Sequence, residues 1–116
     1  MSVQAATLDV GEALQRFSGN RQILVRLLLR FLELNTAVEQ KAREVLDTGK
    51  SDEVAMFFHA LKGGAANLSA KRLAEKCAQL ETLAKTGDVE GVKAEFQNFV
   101  NLFQELRVSV DEVRNS

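Results

Sequence analysis

Hydrophobic positions recur along the chain at three- and four-residue intervals between runs of charged side chains, a spacing that predicts helix throughout. A short first helix spans about Val10 to Phe17 and ends at the break Ser18-Gly19-Asn20. Asn20 is the expected N-cap of a long second helix running to about Asp47. Its main apolar stripe is Leu24, Leu27, Leu28, Phe31, Leu34, Val38, Val45 and Leu46. A second stripe, Val25, Leu29 and Leu32, is expected to be covered by Leu8, Leu14 and Phe17 of the first helix. Gly49 suits the left-handed turn that follows, Ser51 is the expected cap of a third helix, and Asp52 and Glu53 suit its positive end. A fourth helix, about Ala70 to Lys85, begins after Ser69 and stops at Gly87. Asp88 caps a fifth, whose seam of Val92, Phe96, Phe99, Val100, Phe103, Leu106, Val110 and Val113 must face a core. Short connections make neighbouring helices antiparallel. The expected fold is therefore all-α, an up-down antiparallel four-helix bundle with a short extra N-terminal helix, in one domain of residues 1–116.

The third predicted helix holds the only histidine, in Phe57-Phe58-His59-Ala60-Leu61-Lys62-Gly63-Gly64. On a helical wheel Val54, Phe57, Phe58, Leu61, Ala65 and Leu68 gather opposite His59, which turns the imidazole outward. Ala55, Met56, Lys62, Gly63 and Ala66 share its side. A solvated helix face ordinarily carries Glu, Lys, Gln and Arg, as the fourth predicted helix does with Lys71, Arg72, Glu75, Lys76 and Gln79. Around His59 the face is instead small and mildly apolar, with one cation. Each interior glycine costs about 0.5–1 kcal/mol relative to alanine, so two together need a reason. Gly63 leaves clearance for another molecule to approach the ring nitrogens, whereas Gly64 turns inward and permits close helix packing. The same face also fits a non-catalytic helical interaction module that docks a partner helix.

Composition narrows these classes. With 116 residues, 46 % of them hydrophobic and 27 % charged, the chain is sized for one globular domain. No run approaches the roughly 20 apolar residues of a membrane span, and the first residues lack the basic and apolar regions of a secretory signal. The single cysteine, Cys77, shares the helical spacing of Leu73, Leu80 and Ala84 and is expected in the core. These features fit a cytoplasmic protein, and Met1 with the compact length favours a free-standing one. A net charge of -1 argues against a strong grip on nucleic acid. A metal or haem site built on His59 and Met56 lacks a second histidine or paired carboxylates, and hydrolysis by a lone His–Lys pair lacks a second acid or base.

The stretch His59-Ala-Leu-Lys62-Gly63-Gly64 resembles the signature of histidine-containing phosphotransfer (HPt) domains, approximately His-x-Leu-Lys-Gly followed by small residues. Residues 8–33 look like the family's usual lead-in, and residues 73–88 are similar to the helix after the motif, so the resemblance covers nearly the whole chain. It implies a bundle that relays a phosphoryl group between receiver-domain aspartates, with His59 as acceptor and donor. It also implies Lys62 beside the phosphohistidine and Gly63 as clearance, with Ala55, Met56, Ala66 and Leu34 in partner docking. Neutral imidazole ordinarily titrates near pH 6.5 and is nucleophilic near neutrality, and a lysine offsets phosphoryl charge as a point cation. The chain shows no Gly-rich nucleotide loop and no receiver-type acidic cluster. The expectation is thus a monomeric phosphocarrier rather than a kinase, with no cofactor of its own and magnesium in the partner receiver. Two departures stand out: Ser69 occupies a position where many members have glycine, and Leu34 one where some have a polar residue near the imidazole.

Overall fold

The structure, a computed structural model, describes residues 7–115. These form six helices and no strand: α1 (Val10–Arg16), α2 (Arg21–Leu34), α3 (Val38–Asp47), α4 (Ser51–Asn67), α5 (Lys71–Lys85) and α6 (Val89–Asn115). None of the described helices is long and apolar enough to cross a membrane. The core joins every helix, and the whole predicted seam of α6 is buried. Phe58 of α4 lies edge-on to Phe99 of α6 with centroids 5.3 Å apart, while Phe31 of α2 stacks on Phe103 at 6.1 Å. Phe58 immediately precedes His59, so burying the phenyl ring sets the rotation of α4 and turns His59 outward. Cys77 is buried as expected, and burial pushes its thiol up to about 12, leaving it without thiolate reactivity.

The long second helix is two helices. Asn20 does cap α2, accepting from the Ile23 N–H at 3.0 Å, but the helix stops at Leu34. Asn35 Nδ2 donates to the Phe31 carbonyl at 2.8 Å, and Thr36 Oγ1 donates to the Glu33 carbonyl at 2.8 Å. Short polar side chains here compete with the backbone ladder, and the chain turns before α3. The break also spoils the single stripe. Leu24, Leu28, Val38 and Leu46 are buried, whereas Leu27 and Leu34 remain exposed. Val25 and Leu29 line a groove with Val113 of α6, and Phe17, the C-cap of α1, lines a separate hollow with Leu27, Phe31 and Leu34. At the start of α4 the cap residue is Lys50 with no side-chain cap bond, so Ser51 is the first helical residue rather than the cap. Gly49 has the expected positive φ of 67°, and Asp88 caps α6 by accepting from the Gly91 N–H at 2.8 Å.

Ser69 resolves its departure from glycine. It adopts φ 58° at the end of α4, with the Ala70 N–H reaching the Ala65 carbonyl and the Ser69 N–H the Ala66 carbonyl. This is the paired-bond helix stop normally built on glycine, as Gly87 does at the end of α5. A left-handed non-glycine residue costs about 1–2 kcal/mol, and buried Ser69 offsets this with two hydrogen bonds to α1 and its cap. Its carbonyl accepts from the Asp9 N–H at 2.9 Å and its Oγ donates to Glu12 Oε1 at 2.9 Å, while the neighbouring Lys71 Nζ holds Glu12 Oε2 at 2.6 Å. The Lys71 ammonium first, then the Ser69 hydroxyl, hold the Glu12 carboxyl down at about 2 against an ordinary 4.5. A depressed carboxyl stabilises the fold fully above the unfolded value and loses that contribution as pH falls through the folded one. Between about pH 4.5 and 2, wild type should therefore lose more melting temperature than Glu12→Gln. Parallel acid melting curves for the two proteins would contradict this account of how α1 is held.

Candidate functional site

α4 and α5 form a hairpin across the Ser69 turn, and His59 stands on the outer face of α4 beside α5. Its side chain is 67 % exposed. Met56, Gly63 and Ala66 are exposed with it, as the wheel predicts, while Val54, Phe58, Leu61, Ala65 and Leu68 are buried behind. The two glycines differ as expected. A Cβ added to Gly63 would meet nothing within 4 Å, whereas one on Gly64 would lie 2.9 Å from Phe31 Cε2. Gly64 thus lets α2 pack on α4, and Gly63 leaves open space on the histidine face. Ala55 departs from the wheel: only 6 % of it is exposed, because it lies on the side of α4 against which α5 packs.

The residue that organises the site is Glu81 of α5, which was not among the candidates. Only 5 % of its side chain is exposed, and three basic groups converge on it. Oε1 accepts from Lys62 Nζ at 2.7 Å, and Oε2 from Lys85 Nζ at 3.0 Å. Oε2 also lies 2.9 Å from His59 Nδ1. The Lys62 bond foremost, then the Lys85 bond, and more weakly the His59 bond, hold the Glu81 carboxyl at about 2, against partial desolvation. It is therefore ionised at neutral pH. An ionised carboxylate can only accept, which assigns the proton of a neutral His59 ring to Nδ1 and the free lone pair to Nε2. Nε2 has no hydrogen-bond partner among the described residues and is left on the open side of the ring.

Glu81 did leave a trace in the sequence. It lies four residues after Cys77 and three before Ala84, at the edge of the apolar stripe of the fourth predicted helix. An acid there must find partners, and Lys85 at i+4 is one of them. Its bonds to Lys62 and His59 need α4 and α5 in register, which spacing along a single helix does not reveal. Lys62, expected beside the imidazole, has its ammonium tied to Glu81, a partner that its place on α4 does not reveal.

Of the expected docking residues, Ala55 and Met56 join His59 in one shallow, mainly apolar hollow, with Ser51, Asp52, Ala60, Glu81, Ala84 and Lys85. Leu34 lies elsewhere. It is 62 % exposed and lines a second hollow with Arg16, Phe17, Leu27, Arg30, Phe31, Gly64, Asn67 and Leu68. It sits one residue before the α2–α3 break, which ends the helix and leaves its side chain without cover. Ala66, exposed on α4, borders neither hollow. Among the described residues no group of three or more His, Cys, Asp or Glu side chains is placed to share a metal ion.

The family model for the Hpt domain matches residues 26–116. The fold is similar to the crystal structure of histidine-containing phosphotransfer protein B (HptB) from Pseudomonas aeruginosa PAO1, with a TM-score of 0.84 at 22 % identity, covering 97 % of this chain and 99 % of that one. No curated protein matches the chain at a significant level.

Proposed function

We propose, on the premise that this chain belongs to the Hpt domain family, that His59 is the residue through which it passes phosphoryl groups. As a member of that family the protein works by histidine phosphotransfer in a phosphorelay with receiver domains. The observation that carries the assignment to His59 is the state of its ring: Nδ1 engaged by ionised Glu81, Nε2 unengaged on an exposed face. The Nε2 lone pair attacks the phosphorus of a receiver aspartyl phosphate. The N–P bond forms as the acyl phosphate P–O bond breaks, and the aspartate leaves as a carboxylate. Transfer onward to another receiver aspartate reverses these steps. Magnesium in the partner receiver offsets charge on the phosphoryl oxygens when bound. The carrier itself presents a nucleophile on a rigid helix with an unobstructed approach.

Three further features belong to this reading. The interrupted α2–α3 unit, α4, α5 and α6 serve as the four staves of an antiparallel up-down bundle, with α1 as the extra helix. Exposed Met56 contributes the apolar docking surface beside His59, with nearly buried Ala55 lining the same hollow. The protein acts as a monomeric cytoplasmic carrier that has no use for nucleic acid, in keeping with its net charge of -1.

Incubation with a phosphorylated receiver domain should produce acid-labile, base-stable phosphate on this chain, and a second receiver should then discharge it. Failure to take up phosphate from any of a panel of receivers would contradict the reading. Lys62→Ala should lower the transfer rate by about tenfold, the low end of what a hydrogen bond to a charged group is worth, without altering helix content. Lys62 is partly exposed and its loss leaves Lys85 on Glu81. Equal rates for the two proteins would show that its place beside the site is incidental.

A further inference from the structure

The Glu81 bond bears on a step that uptake alone does not specify, namely where the ring proton resides once the phosphoryl group is attached. We propose that Glu81 keeps Nδ1 of His59 protonated through the whole cycle, so that the phosphorylated ring is held as an imidazolium primed to lose its phosphoryl group. This rests on the assignment of His59 as phosphoryl acceptor.

The argument is one of matching donors and acceptors. In a phosphohistidine substituted at Nε2, the other ring nitrogen either carries a proton or exposes a lone pair. A deprotonated Nδ1 would set that lone pair against Glu81 Oε2 at 2.9 Å, two acceptors facing each other with no hydrogen between them. Glu81 is poorly placed to relieve this by taking up a proton, because Lys62 and Lys85 already donate to its two oxygens and hold it ionised. Nor can it readily turn away, since it is anchored from α4 at one oxygen and from its own helix at the other.

Every charged group around the ring enters the balance. Lys62 from α4 and Lys85 from α5 oppose a ring cation, but both are directed at Glu81. Asp52, which lines the same hollow, favours the cation, as do Glu81 and the phosphoryl group itself. The direct hydrogen bond decides the sign.

Proton and electron counts close without solvent. In the forward step the Nε2 lone pair forms the N–P bond, the receiver carboxylate departs with the P–O electrons, and Nδ1 keeps its hydrogen. In the return step the N–P electrons go back to Nε2, so the leaving group is a neutral imidazole rather than an imidazolate. Glu81 is thus a positioning residue that favours rapid delivery over long storage.

Phosphoramidate, a small donor whose P–N bond breaks with loss of ammonia, phosphorylates histidine without a receiver and serves as the probe. The readouts are the ring nitrogen shifts of phosphorylated His59 and the rate of phosphate loss, followed from pH 6 to 8.5. In wild type, Nδ1 should retain its protonated shift across this range, and the loss rate should change by less than about twofold. In Glu81→Gln, Nδ1 should titrate, and the rate should fall by more than about tenfold as pH rises through the ordinary imidazole range near 6.5. At pH 8 the variant's phosphohistidine should outlast wild type about tenfold. Phosphate on His59 with the same titration in both proteins would overturn the proposal while leaving His59 as acceptor. Absence of phosphate on His59 in both would overturn the assignment itself. If the variant fails to fold, wild type alone decides: a deprotonated Nδ1 at pH 8 contradicts the proposal.

Discussion

Replacing His59 by glutamine abolishes phosphoryl uptake and leaves the fold intact. The two halves of this result have separate causes. Uptake disappears because a carboxamide nitrogen has no available lone pair to attack phosphorus, and the chain contains no second histidine to substitute. The fold persists because the side chain is 67 % exposed and contributes nothing to the core behind it. Glutamine can still donate a hydrogen bond toward Glu81, and Lys62 and Lys85 continue to hold that carboxylate. Stability should stay within about 0.5 kcal/mol of wild type, as for most surface substitutions. Circular dichroism melting and receiver-to-carrier transfer on the same preparation measure both halves. An interaction module without chemistry would show no uptake in either protein. Residual uptake in the variant would place the acceptor elsewhere.

Gly63→Gln separates catalysis from stability in the opposite direction. A side chain at position 63 enters space that is empty for at least 4 Å around its Cβ, so nothing in the protein resists it. Glutamine is a good helix former and glycine a poor one, so stability should rise by about 0.5–1 kcal/mol. The same side chain stands one turn from His59 on the face a receiver must approach. Displacing the attacking nitrogen from an in-line aspartyl phosphate by about 1 Å can cost about 100-fold in rate, and that is the expected fall in transfer. A drop in melting temperature would mean that Gly63 packs against something, and an unchanged rate would mean that receivers do not approach across it. Gly64 offers the contrast within the same helix, since its added Cβ would press on Phe31.

Most of the fold could be read from the spacing of apolar residues because most helices here have one clear buried side. The α6 seam, the back of α4 and the burial of Cys77 all follow from that rule. The long second helix misled because Leu28, Phe31, Leu34 and Val38 keep helical spacing across the break. What ends α2 is local hydrogen bonding by Asn35 and Thr36, a signal of type and position rather than of hydropathy. Serine's capping preference points to Ser51, yet the cap position of α4 falls one residue earlier, at Lys50.

At the site, His59, Gly63 and the inward turn of Gly64 were legible because all three lie on one helix and follow its geometry. Glu81 was not, because its meaning depends on α5 lying against α4 in one register. The same limit explains Lys62, whose sequence neighbour is His59 but whose hydrogen-bond partner comes from α5. The resemblance to HPt domains implies Leu34 in partner docking near the imidazole, whereas the α2–α3 break leaves it lining a different hollow.

The most direct measurement of the central claim is the nitrogen to which phosphorus becomes attached. Wild type with 15N-labelled histidine, phosphorylated by a receiver domain and kept at alkaline pH, should show phosphorus coupling to Nε2 of His59. With a single histidine in the chain the signal has one possible source. Coupling to Nδ1 would contradict the account, because that atom is the one Glu81 engages, and so would phosphate on any other residue.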